Sequence, residues 1–486
     1  MQSISKNFIF NLLKTLMSII FPLITFPYAS RILGVDNLGK VQYCNSIISY
    51  FSLISTLGIS IYAVREGSKY KDSPSKLNKF CKEILLINSI STAFAYTVFC
   101  IFMIFFFKYS YYMLMIVCSF TLFFNTYSIE WLYQIKEDYK YISIRAFVIQ
   151  IISLLFLFIF VKTPSDYVKY AFIYIISSSG NFIFNFWNSR KYIKLFKKTD
   201  IEIKKHIRPI VTIFGVSLAS SIYMNLDTVM LGAMKGTVAV GLYAAAVKIS
   251  QVVKTLINAF SNVLFPRLSN YLGNNKVNEY KLLLYKGIRI MLMFTIPAGI
   301  GMCMLSEEII VILSGNSYVQ ANIASKILAI NIIFSIIDGF IYYQILLPFG
   351  KEKIASICTF IGSIINLSLN FILIPLFSYN GAALTTLVAE FVVFIGLFYY
   401  SNKLINLIII IKNIFKYAFF SIPIIIWCIF VKLYFNDLLK LMFFAIIGSV
   451  IFYSLTLILF KDKLFIEMYN EYKVKIKIFI SNLNKG

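Results

Sequence analysis

The chain has 486 residues, of which 59% are hydrophobic and only 14% charged, and its mean hydropathy is +0.80. Soluble domains run at about 45–50% apolar and about 25% charged, and single cores stop growing at about 250–300 residues, so this composition excludes a water-soluble globule. The net charge of +25 would suit nucleic acid or anionic lipid; it falls in short loops between apolar runs, which selects the membrane and excludes nucleic acid as a partner.

A spanning helix needs about 20 mainly apolar residues to cross about 30 Å of hydrocarbon. Runs of that kind lie near 7–30, 41–64, 84–107, 109–133, 142–161 and 165–187, and after a basic break near 210–234, 237–265, 288–313, 319–347, 354–377, 380–400, 415–435 and 438–460. The sequence therefore predicts an all-α polytopic membrane protein with about fourteen spans, set by the bilayer thickness. The first run is too long for a cleavable signal peptide, and Arg31-Ile32-Leu33-Gly34 follows it in place of a small-residue cleavage site.

Placing the N-terminus in the cytoplasm puts 33 of the 46 Lys and Arg residues in inside segments and 8 in outside loops. Basic residues in short loops stay on the cytoplasmic side, so both termini are expected there. The loop 188–209 carries eight basic residues and separates six spans from eight. No loop has room for a folded catalytic or nucleotide-binding domain. The seven cysteines are scattered singly and read as small buried hydrophobes, and His206, alone in the basic loop, reads as a solvated residue. No catalytic constellation, cofactor or metal site is expected.

The two sets of spans show a faint repeat. Gly39 precedes Arg65 by the spacing that separates Gly241 from Arg267, and each stretch follows Ile/Met-Leu-Gly, at Ile32-Leu33-Gly34 and at Met230-Leu231-Gly232. Parallel repeats about an axis along the membrane normal are a transporter architecture. Gly34-Val35-Asp36-Asn37-Leu38-Gly39-Lys40-Val41 imitates a phosphate-binding loop. Val41 replaces the hydroxyl that would hold Mg²⁺ and no soluble strand precedes it, so it is a turn between spans.

Charges within spans carry more information. Each costs about 2.5–3.5 kcal/mol at the bilayer centre on insertion scales, so such residues face a cavity or a partner. Lys14, Lys248 and Lys254 sit inside their spans and suggest an electropositive interior suited to an anion such as a pyrophosphate. Asp227, Asp338 and Glu390 are candidates for ion coupling, with an Asp227–Lys248 structural pair as the plainer alternative. Glu130 and Arg145 read as interfacial. Asn11, Asn45, Gln150, Asn181, Asn225, Gln251, Asn258 and Gln344 would line a hydrated path or bond between helices.

Several stretches resemble the polysaccharide repeat-unit flippases, often called O-antigen flippases. They are Arg31-Ile32-Leu33-Gly34 with Gly39, Leu57-Gly58-Ile59 running to Arg65-Glu66, and Asp227-Thr228-Val229-Met230-Leu231-Gly232 leading to Val240-Gly241-Leu242-Tyr243 and Lys248. A further stretch runs from Asn370 through Ile374-Pro375 to Tyr379-Asn380-Gly381 and Glu390. The resemblance implies the multidrug/oligosaccharidyl-lipid/polysaccharide exporter fold: two six-helix bundles (1–200 and 201–402) around a central cavity, and two additional C-terminal helices with a basic tail (403–486). It implies alternating-access transport of undecaprenyl-pyrophosphate-linked oligosaccharide across the bacterial inner membrane, for O-antigen, lipopolysaccharide or capsule. Membrane lipids are implied as partners, and other polysaccharide assembly proteins are candidates. The family's cationic cavity matches Lys14, Lys248 and Lys254 in type, with lysines where relatives often use arginine; Arg31 and Arg65 match family arginines near span ends. An ion-coupled multidrug exporter would prefer an acidic cavity. A membrane-embedded polymerase or glycosyltransferase would need a large external loop or acidic pair, and only Glu307-Glu308 offers one.

Overall fold

A computed structural model describes residues 4–106, 111–193 and 201–471, and every regular element among them is a helix. In chain order they are α1 (Ile4–Thr56), α2 (Ile59–Gly67), α3 (Pro74–Phe106), α4 (Tyr112–Tyr127), α5 (Glu130–Ile135), α6 (Tyr139–Phe160), α7 (Tyr167–Ser179), α8 (Asn181–Ser189) and α9 (Lys204–Lys235). Then come α10 (Thr237–Gly273), α11 (Val277–Met304), α12 (Ser306–Ser314), α13 (Asn322–Ile341), α14 (Glu352–Asn402), α15 (Ile408–Phe420), α16 (Ile422–Tyr434) and α17 (Leu438–Leu459). Ten helical stretches among the described residues are long and apolar enough to cross a bilayer. Large apolar side chains such as Ile104, Phe105, Leu433 and Leu459 stand exposed on them. In water those faces would aggregate; in lipid they are solvated. The protein is a polytopic membrane protein.

Two helices carry two apolar runs each. α1 is 53 residues long with a break at Gly34, and α14 is 51 residues long with a break at Ser378. The run 165–187 is divided into α7 and α8 at Gly180, and the run 210–234 lies within the more polar α9.

Chain contacts group the residues into two compact units: residues 1–245 with 313–318 and 367–382, and residues 246–312 with 319–366 and 383–486. In the first unit α1 is the central helix, packed by α3, α4, α6, α7 and α9. Arg145 is buried at its other flank, held by Glu130 at 2.8 Å and by Asn185. The expected interfacial arginine is an internal ion pair, because Glu130 and Asn185 converge on it from α5 and α8. In the second unit α11 packs against α13, α15 and α16, and α16 against α17. Lys432 on α16 pairs with Glu308 on α12 at 2.8 Å, which accounts for half of the Glu307-Glu308 doublet.

The repeat is written in the backbone. Gly34 (φ +73°, ψ 176°) and Gly236 (φ +84°, ψ −179°) occupy a region open essentially to glycine alone. Each stands five residues before the matched Gly39 or Gly241. A Cβ on Gly39 would lie 1.8 Å from the carbonyl oxygen of Thr237, and one on Gly241 would lie 2.1 Å from that of Val35. Gly39 matches Gly241 and Val35 matches Thr237, so the two close approaches are the same contact made twice. A reciprocal contact of this kind is the mark of two-fold symmetry. The Thr237 hydroxyl donates to Asp36, whose carboxylate also pairs with Lys40 at 2.7 Å.

Candidate functional site

The intramembrane lysines lie on α10. Its residues Gln251, Lys254, Asn258 and Ser261 follow spacings of three and four, which puts them on one stripe of the helix. That stripe meets α13: the Asn258 Oδ1 would lie 4.0 Å from a Cβ on Gly339, and Gln344 Nε2 donates to the Ser261 carbonyl at 2.8 Å. α13 in turn meets the later half of α14 through the Phe334 ring, whose centroid is 5.1 Å from Phe391 and 5.6 Å from Phe394. Three helices of the second unit therefore bring Lys254, Asp338 and Glu390 together.

Lys254 is half-buried and lies within electrostatic reach of both carboxyl groups, yet forms no direct ion pair among the described residues. Lys248 is also half-buried and six residues earlier on the same helix. At 3.6 residues per turn this rotates it by about 120° from Lys254, so the two ammonium groups diverge around α10.

Asp227 belongs to the first unit. Its Oδ2 accepts from the Tyr243 hydroxyl at 2.9 Å and its Oδ1 from Asn370 Nδ2 at 2.7 Å, so α9, the start of α10 and the middle of α14 meet at one buried carboxylate. Arg31 is exposed on α1 just before the Gly34 break, where one guanidinium nitrogen donates to the Pro27 carbonyl at 3.3 Å. Arg65 is exposed in the last turn of α2. The rest of α1 separates the two arginines, so they mark opposite ends of the first unit. The side chain of Lys14 lies outside the described residues.

Several of the polar residues expected to line a hydrated path have a buried atom without a protein partner among the described residues. Asn45 Nδ2, Gln150 Oε1 and Asn181 Oδ1 in the first unit and Gln344 Oε1 in the second have no hydrogen-bond partner among the described residues. Tyr50 OH and Asn331 Oδ1, which composition and spacing did not single out, join them. Buried polar groups left this way call for water or a ligand.

His206 departs most from expectation. It is 2% exposed, its Nε2 lies 2.9 Å from Glu83 Oε2, and its Nδ1 lies 2.6 Å from the Tyr62 hydroxyl. A carboxylate only accepts, so Nε2 donates to Glu83, and Nδ1 shares a hydrogen bond with the Tyr62 hydroxyl. Glu83 also accepts from the Glu202 backbone amide at 2.9 Å and pairs with Lys205 at 3.1 Å. The adjacent Glu202 is held below the usual carboxylate range by Lys79 and Lys205. This network fastens the start of α9 to α2 and α3. The two hydrogen bonds of His206 span 144 and 123 positions of the chain, so no local pattern announces the network.

Comparison with known proteins places this geometry. Residues 4–272 match the model of the polysaccharide biosynthesis protein family, more than half of the chain. The chain belongs to that family. Residues 212–372 also match the MatE model. Relatives of this polysaccharide biosynthesis protein include one from Shigella dysenteriae named for O-antigen transport, 25% identical over 78% of this chain and 94% of its own length. The capsular polysaccharide biosynthesis protein CapF of Staphylococcus aureus is 25% identical over 82% of this chain and 99% of its own. Among solved structures, the lipid II flippase MurJ in an inward closed conformation superposes with a TM-score of 0.74 at 17% identity, covering 93% of this chain and 99% of that one. An inward-facing multidrug resistance MATE family transporter gives 0.58 at 13% identity, covering 84% and 98%. At these identities the two structures speak for the fold.

Proposed function

We propose that the protein is a flippase for lipid-linked oligosaccharide, moving undecaprenyl-pyrophosphate-linked repeat units across the bacterial cytoplasmic membrane by alternating access, for O-antigen or capsule. The relatives' names support the substrate class. The bias of basic loops supports cytoplasmic termini.

The observation that carries the reading is a pair of half-buried lysines, Lys248 and Lys254, held within a spanning helix without direct ion pairs among the described residues. A cation kept in hydrocarbon at a cost of about 2.5–3.5 kcal/mol is retained for an anion that visits. The pyrophosphate of a lipid-linked sugar is such an anion, and its polyprenyl tail can stay in the bilayer. Lys14, Arg31 and Arg65 are the further residues of the proposed cationic route. Asp227, Asp338 and Glu390 are the proposed ion-coupling groups. The chain itself makes or breaks no bond in this account.

Expression in a strain that lacks its own flippase, with a matching repeat unit, should restore surface polysaccharide. A well-inserted protein that restores none with its native glycan would remove the assignment.

A further inference from the structure

The second unit holds a carboxyl pair on two of its helices, α13 and α14. Asp338 on α13 is 6% exposed, and both its carboxyl oxygens are buried with no protein hydrogen-bond donor among the described residues. Phe334, one turn earlier on α13, packs against Phe391 and Phe394 on α14, which brings Glu390 beside the Asp338 carboxyl. Two ionised carboxylates are acceptors only, so their contact becomes a bond only when one carries a proton. Two full negative charges side by side would repel, and the one Lys254 ammonium could balance only one of them.

Depth reinforces the pairing. Asp338 lies twelve residues before the turn at Gly350, and Glu390 twelve residues before the end of α14 at Asn402. Each therefore lies more than two helical turns inside its apolar stretch, Asn316–Leu346 for Asp338 and Glu352–Asn402 for Glu390. The charged and titratable groups facing Asp338 are Glu390 and Cys358 on α14 and Lys254 on α10. α11 also packs along α13, but its Arg289 faces Tyr417 on α15.

We infer that Asp338 and Glu390 form a proton-binding site, sharing one proton between their carboxyl oxygens beside the Lys254 ammonium. The proton comes from water and bonds to one carboxyl oxygen, hydrogen-bonding to the other, and no other bond changes. One shared proton leaves the pair with a single negative charge, which Lys254 balances, so the cluster is neutral inside the membrane. A sodium ion in the same place would meet the repulsion of that ammonium, whereas a proton sits between the two carboxyls. If the transport reading holds, the coupling ion is a proton; the site itself does not depend on that reading.

Infrared spectroscopy of the purified full-length protein in lipid nanodiscs tests the site without transport. At neutral pH the wild type should show the carbonyl stretch of a protonated carboxyl, shifted in deuterium oxide. Asp338→Asn should remove it, and so should Glu390→Gln, which serves if the first variant folds poorly. A band of wild-type intensity in both variants would overturn the inference. So would a band that disappears when sodium is added at constant pH, which would make the pair a sodium site.

Discussion

Gly39→Val should leave almost no folded protein in the membrane. The new Cβ would start 1.8 Å from the Thr237 carbonyl oxygen, and that atom is backbone, unable to swing aside. Overpacking against side chains costs about 1–3 kcal/mol; a clash with a turn pinned by the Gly236 conformation and the Thr237–Asp36 hydrogen bond should exceed that range. Gly241→Val should fail in the same way against the Val35 carbonyl, since it is the other half of the reciprocal contact. Gly301→Ala on α11 is the control: nothing lies within 4 Å of the added methyl, and folding should survive. Detergent size-exclusion profiles and melting temperatures of the three variants give the comparison. A Gly39→Val protein that elutes and melts like the wild type would refute the two-fold turn contact.

Lys254→Ala should insert normally and lose at least about tenfold of its complementing activity, the equivalent of about 1.4 kcal/mol in transport free energy. Two effects act together: the passing anion loses a cation, and the Asp338–Glu390 pair loses the positive charge of Lys254 beside it. Combining Lys254→Ala with Asp338→Asn and Glu390→Gln separates them. The triple variant leaves no charge in the cluster, so any loss of stability should be recovered while transport stays down. Lys254→Arg keeps the charge and should retain part of the activity. Lys248→Ala should also abolish complementation. Full activity in both alanine variants, with normal expression, would end the cationic-route assignment.

The membrane fold was legible because lipid imposes a coarse rule that composition obeys. Runs of about 20 apolar residues cannot hide elsewhere, and α6 and α17 match the runs at 142–161 and 438–460 to within three residues, whereas α3 starts ten residues before the run at 84–107 and α11 starts eleven before and ends nine before the bounds of the run at 288–313. The repeat was legible in Gly39 and Gly241 but misaligned at its start. The Ile/Met-Leu-Gly match equates Gly34 with Gly232, whereas the backbone equates Gly34 with Gly236. Apolar triplets recur by chance in a chain this hydrophobic, and a positive φ leaves no mark on the letters. Gly232 has a different duty: a Cβ there would strike the Tyr43 ring at 2.1 Å.

Single charged residues within spans stood out because insertion is costly, so Lys254, Asp338 and Glu390 were all visible one by one. Their convergence was not, since Asp338 and Glu390 sit on different helices and nothing local couples them. His206 failed for the same reason in the opposite sense. A lone histidine in a basic loop reads as solvated, and only folding brings Tyr62 and Glu83 to its two ring nitrogens. Arg145 likewise found Glu130 and Asn185.

The most direct test places lipid-linked oligosaccharide on one side of a membrane. Purified protein reconstituted into liposomes with lipid-linked oligosaccharide from its own host should expose that lipid on the opposite leaflet to an added sugar-binding lectin. Empty liposomes, and those holding the Lys248→Ala/Lys254→Ala double variant, should not. Equal lectin access with wild type, double variant and no protein would contradict the account.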